Sequence, residues 1–130
     1  MQNFFIGLES IFFSEGARSL VHPVGPARQL FDKFCRLVVE HCHSQHEVKF
    51  YAGKLCITPY YLSKITRRMM GASAKELIDR QIVMEMKRLL STTDISIKEL
   101  AFHFHFETMS YMARYFRRHT GWIPNEFRKR

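Results

Sequence analysis

The 130-residue sequence has no long hydrophobic run, no basic leader and only three cysteines. No stretch approaches the ~18 apolar residues of a membrane span. The start, from Met1 to Phe13, lacks a basic region and is broken by Glu9, so it makes a poor signal peptide. Cys35, Cys42 and Cys56 are an odd number without framework spacing, which excludes a disulfide scaffold and reads as reduced thiols of a cytosolic protein. Strand-like alternation of useful length is missing, so the expected fold class is all-α. No Ser/His/Asp or paired-carboxylate constellation stands out, so neither catalysis nor a cofactor is expected. His41, Cys42, His43 and His46, with Cys35 upstream, invite a metal. However, residues 41 and 43 point about 200° apart on a helix, and no second Cys/His cluster completes a four-ligand set. They read as helix-end histidines that favour the C-terminal dipole, and His103 and His105 read as a helix end followed by a turn.

Acidic charge is scarce in one part of the chain only. Residues 1–50 hold five Lys/Arg and five Asp/Glu, whereas residues 51–130 hold fifteen bases against seven acids, so the whole excess of +8 lies there. Such segregation points to a polyanionic partner for the second part. The apolar share of 46% is ordinary for a globular chain.

What is present is an internal echo. Thr58-Pro-Tyr-Tyr-Leu-Ser-Lys-Ile-Thr-Arg-Arg-Met-Met-Gly71 aligns with Thr108-Met-Ser-Tyr-Met-Ala-Arg-Tyr-Phe-Arg-Arg-His-Thr-Gly121, fifty residues later. Thr58/Thr108, Tyr61/Tyr111, Arg67/Arg117, Arg68/Arg118 and Gly71/Gly121 are identical, and the echo continues to Glu76-Leu77 against Glu126-Phe127. A duplicated basic helix implies a ligand that itself repeats, and duplex nucleic acid is the commonest one.

Local signals frame these copies. Phe4, Phe5, Leu8, Ile11 and Phe12 recur at helical spacing, and Gly16 to Pro26 reads as a connector. Helices are expected from about Ala27 to His43 and from about Glu47 to Leu55. Thr58 before Pro59 is an N-cap followed by a proline whose missing N–H costs nothing, and Gly71 is a left-handed stop. Ser73-Ala-Lys-Glu76 is a capping box for a helix from about Ala74 to Leu90, and Ser96-Ile-Lys-Glu99 one for a helix to about Phe104. The duplicate helix runs from Thr108 to about His119, and Pro124 begins a last short helix. Ala52 and Ala101 supply the small residue where the second helix of a helix-turn-helix crosses the first.

Placing residues at about 100° intervals separates two faces on each copy. Leu62, Ile65, Thr66 and Met69 point inward, with Tyr61 at the margin, opposite Tyr60, Ser63, Lys64 and Arg67. In the second copy Met112, Tyr115, Phe116 and His119 point inward, opposite Ser110, Ala113, Arg114 and Arg117. Arg114, and less well Lys64, can donate to guanine O6 and N7; Ser63 and Ser110 can reach either base type; Ala113 and Met109 can touch a thymine methyl. Arg67, Arg68, Arg117 and Arg118 suit phosphate oxygens. A solvated face with i,i+4 pairs is the plainer alternative, but the facing slots hold few acids.

From about Arg28 to Arg130 the chain resembles the DNA-binding domain of AraC/XylS-type transcription regulators. The sharpest matches are Phe50-Tyr-Ala-Gly-Lys-Leu-Cys-Ile-Thr-Pro-Tyr-Tyr-Leu-Ser, Gly71-Ala-Ser-Ala-Lys-Glu-Leu-Ile, Ser96-Ile-Lys-Glu-Leu-Ala and Phe116-Arg-Arg-His-Thr-Gly-Trp-Ile-Pro-Asn-Glu-Phe-Arg. The resemblance implies two helix-turn-helix subdomains, residues 27–73 and 92–130, joined by a linker helix at 74–91 and preceded by an N-terminal region at 1–26. It also implies two recognition helices in successive major-groove segments of double-stranded DNA. The base-facing residues it implies are Tyr60, Ser63, Lys64, Met109, Ser110, Ala113 and Arg114. Four positions depart from the pattern. His105 replaces a glycine or asparagine, which costs about 1 kcal/mol if the backbone there is left-handed. Met112 replaces an aromatic, Ile123 a capping hydroxyl, and Met109 a polar base-facing residue. Cys56, by contrast, matches a small apolar position of the pattern, and the resemblance implies that it is packed.

These departures motivate a second reading, a degenerate copy acting as a protein-interaction module that docks on RNA polymerase or titrates a partner regulator. The N-terminal stripe reads either as part of a homodimerisation helix or as a segment that packs back on the domain. The expected helices and connectors leave no room in these residues for a ligand-sensing domain. Structured RNA is disfavoured, because base reading by a helix needs the wide groove of B-DNA.

Overall fold

The computed structural model describes residues 25–130. The apolar stripe at Phe4 to Phe12 lies outside the described residues. Seven helices follow one another among those described: α1 Pro26–His41, α2 Val48–Lys54, α3 Pro59–Met70, α4 Ala74–Thr92, α5 Ile97–His103, α6 Met109–Thr120 and α7 Pro124–Lys129. Two helix-turn-helix units, α2–α3 and α5–α6, are joined by α4, as the family resemblance implies.

The starts and stops are set locally. Thr58 Oγ1 accepts the Tyr61 N–H at 3.0 Å, and Thr108 Oγ1 accepts that of Tyr111 at 3.0 Å. In the α4 box Ser73 Oγ accepts the Glu76 N–H at 3.1 Å while Glu76 Oε1 accepts the Ser73 N–H at 2.7 Å. The α5 box closes in the same way, with both bonds at 2.9 Å. Gly71 and Gly121 end the duplicated helices at φ 71° and 86°, where a Cβ would be strained. α4 runs two residues beyond its expected end. The Thr92 and Thr93 hydroxyls donate back to the Arg88 and Leu89 carbonyls at 2.7 and 2.6 Å and so occupy acceptors of the last turn. α1 stops two residues early, and the chain turns at His41 before reaching α2.

One buried cluster runs through the described residues. Phe31, Phe34, Cys35 and Val38 of α1 meet Tyr51 and Ala52 of α2 and Leu62 and Ile65 of α3; Leu77, Ile78, Ile82 and Met86 of α4 carry the core across to Leu100, Phe104, Met112 and Phe116. Each fully buried large apolar side chain contributes roughly 1.5–3 kcal/mol. Met112, where the family pattern has an aromatic, is completely buried, so its flexible chain fills the same space. Ala52 and Ala101 are both buried. Burial pushes the Cys35 and Cys42 thiols up, Cys42 to about 12, so both stay protonated.

Candidate nucleic-acid interface

The turns that aim α3 and α6 are built alike. The Ile57 N–H bonds to the Ala52 carbonyl at 3.0 Å, and the Phe106 N–H to the Ala101 carbonyl at 2.9 Å. Each turn contains one left-handed non-glycine residue, Cys56 at φ 59° and His105 at φ 60°. The departure at His105 is therefore accommodated as expected, but its counterpart Cys56 overturns an expectation. Cys56 is exposed rather than packed, because the left-handed turn projects its side chain into solvent. Ala52/Ala101, Cys56/His105 and Ile57/Phe106 are separated by 49 residues and the helices by fifty. Glu107 is the extra residue in the second turn, and this change of offset was the sequence signal that relates the two turn positions.

On α3, Tyr60 is 74% exposed, and Lys64, Arg67 and Arg68 are also exposed. Lys64 Nζ lies 5.7 Å from the centre of the Tyr60 ring, so the two side chains share one patch. Ser63 is half-buried and its Oγ accepts the Ala74 N–H at 3.4 Å, which leaves it less free than its neighbours. On α6, Met109, Ser110, Arg114, Arg117 and Arg118 are exposed and Ala113 is half-buried. The Arg118 guanidinium lies over Tyr115 at 5.7 Å. Among the described residues no carboxylate forms an ion pair with Lys64, Arg67, Arg68, Arg114, Arg117 or Arg118. Unlike a face of paired charges, these cations are available to an external anion.

The inner faces agree with the angular reading except at one place. Leu62, Ile65, Thr66, Met112, Tyr115 and Phe116 are buried, and Met69 is half-buried. His119, expected inward, is instead exposed at the margin. Its ring leans on Tyr115 at 4.6 Å, and Nε2 lies 3.8 Å from Asp79 Oδ2. An imidazole pays a desolvation cost when buried, so it reaches the carboxylate while keeping contact with water.

Sequence reasoning missed a second assembly, away from these faces. The His43 ring stacks on Phe104 at 5.0 Å and meets His103 edge-on at 4.6 Å, while His105 Nδ1 lies 3.3 Å from the His43 carbonyl. His43 Nε2 is 3.8 Å from Glu85, which is also paired with Arg88 at 3.1 Å. Burial holds His43 and His46 below the ordinary imidazole value, with His103 adding to the effect at His43. Partners sixty residues apart leave no periodic trace. Among the described residues, no group of three or more His, Cys, Asp or Glu side chains is arranged to hold a metal ion, and no helix is long and apolar enough to cross a membrane.

The helix-turn-helix domain family matches residues 51–130. The chain is similar to the arabinose operon regulatory protein of Salmonella typhimurium, 30% identical over 95 residues, which is 72% of this chain and 34% of that protein. The arabinose operon regulatory protein of Escherichia coli is 29% identical over 115 residues, covering 88% of this chain and 39% of that one. The chain thus spans little more than a third of the length of these curated relatives. Among solved structures, the DNA-binding domain of AdpA, a global transcriptional factor in complex with a target DNA, superposes with a TM-score of 0.66 at 26% identity, covering 74% of this chain and 86% of that one. The C-terminal domain of AraT, a response regulator from Geobacillus stearothermophilus, shares the fold with a TM-score of 0.71 at 22% identity, covering 83% and 88%. With a family match over more than half of its length and two capped recognition-type helices around one linker, this chain belongs to the helix-turn-helix family of AraC/XylS type.

Proposed function

We propose that this chain is a sequence-specific, double-stranded DNA-binding transcription regulator that inserts α3 and α6 into successive major-groove segments. One observation carries the reading. Two helices with the same caps and the same stop expose cations in matching slots, and no carboxylate among the described residues pairs with them. Tyr60, Ser63, Lys64, Met109, Ser110, Ala113 and Arg114 face the bases, with Ser63 the weakest contributor because its hydroxyl also serves the start of α4. Arg67, Arg68, Arg117 and Arg118 hold phosphates, which set register without reading sequence. The two-unit organisation, 27–73 and 92–130 about the linker at 74–91, belongs to the same reading. So do a cytoplasmic location, homodimerisation through the N-terminal region and contact with RNA polymerase. It assigns no catalytic residue and no cofactor.

A DNA-binding selection from random duplexes at fixed salt tests the proposal. The expected result is an enriched site with two parts, one for each helix. Equal affinity for all duplexes overturns it and favours the protein-interaction module. That alternative draws on Met109 and on Phe102 of α5, which is 81% exposed.

A further inference from the structure

We propose that Asp79 is a positioning residue: from the linker helix it orients the second recognition helix through Tyr115 and His119, and so sets the separation at which two DNA half-sites are accepted. The inference rests on the DNA-reading assignment above. Asp79 is only 7% exposed. Its Oδ1 accepts the Tyr115 hydroxyl at 2.7 Å and the Lys75 ammonium at 3.1 Å, and its Oδ2 faces His119 Nε2 at 3.8 Å. Burial and the bond to Asp79 push the Tyr115 phenol up, so it remains a donor. Lys75 Nζ also donates to the His46 carbonyl at 3.4 Å, in the connection between α1 and α2. One carboxylate therefore links the first unit, the linker and the second reader.

The internal echo shows that this is not simply how such a helix packs. Tyr115 and His119 occupy the slots that Ile65 and Met69 fill in the first copy. At both slots an apolar side chain in α3 has a polar counterpart in α6, and both polar side chains reach Asp79. Apolar contact is non-directional, whereas a short hydrogen bond to a carboxylate fixes angle as well as distance. A buried carboxylate is weak evidence for stability, since apolar packing of similar volume serves as well or better. Orientation is what it adds. Moving a half-site by one base pair displaces it by about 3.4 Å and turns it by about 35°. A tethered α6 cannot follow that change, but a loosened one can.

The test uses the whole chain and the duplex enriched by selection, with the half-site for α6 moved by one or two base pairs relative to that for α3. Wild type is expected to lose about tenfold in affinity per displaced base pair, the scale of one hydrogen bond to a charged group. In Tyr115→Phe, which keeps the ring, and in Asp79→Asn, the penalty should fall to about threefold. The loss of base choice caused by Lys64→Ala should be unchanged in either background. Uniform weakening with the spacing profile intact shows a merely structural role and overturns the proposal, as does a wild-type profile in Tyr115→Phe. Wild type binding every duplex alike overturns the DNA-reading assignment instead.

Discussion

Lys64 and Arg114 stand in the same slot of their helices, both exposed, yet differ in what they can ask of a base. A guanidinium presents a planar fork that matches guanine O6 and N7, whereas an ammonium is a point charge. Replacing either by Ala should relax base choice at one position, at about 1–3 kcal/mol where the contact is bidentate, as read by repeating the selection. Arg67→Ala or Arg117→Ala should instead weaken all sequences alike and lower the salt slope by about 1; a sequence-selective loss would contradict a phosphate role. At the turns, Cys56 is exposed at φ 59°, so Cys56→Gly should stabilise the chain by about 1 kcal/mol, measured by urea unfolding. These slots were legible in the sequence because helical periodicity alone divides inner from outer faces. The exposure of Cys56 and the marginal place of His119 were not, because turn conformation and the carboxylate of a distant helix decide them.

The helices owe their limits to contacts a few residues long. Thr58→Ala removes the acceptor for the Tyr61 N–H and should cost about 1 kcal/mol, as should Thr108→Ala. Similar losses in urea unfolding are expected, since the two cap hydrogen bonds have the same length of 3.0 Å; no loss in either would mean that water or tertiary packing holds the helix start. Ile123 has no hydroxyl to complete its box, so only the return bond from its N–H to Glu126 Oε1, at 3.3 Å, is made. Such contacts join neighbours in sequence, which is why the starts were readable in advance. The two-residue extension of α4 and the early end of α1 were less so, because helix ends are set by marginal competition between backbone acceptors.

Across the whole molecule the two units share a core and a histidine-lined junction. His43, His46 and His119 are all held below the ordinary 6.5, in each case chiefly by burial. The folded state therefore binds fewer protons than the unfolded one. The stability these groups lend is complete above pH 6.5 and is lost as pH falls through that value toward their folded values. Urea midpoints should hold steady above about pH 7 and decline toward about pH 5.5, with a shallower decline in His43→Gln. Glu76 and Glu99, held below 4.5 by their capping bonds, add a separate loss as pH falls below 4.5.

By itself the sequence determined the number, order and caps of the described helices, the segregation of positive charge and the repetition of a basic face, because each follows from neighbours or from a fixed period. Tertiary structure alone decided that His43 meets His103, that Cys56 faces solvent and that Asp79 binds Tyr115. Those pairings depend on where packing carries each helix, and buried surface, shared among distant segments, leaves no local pattern to read.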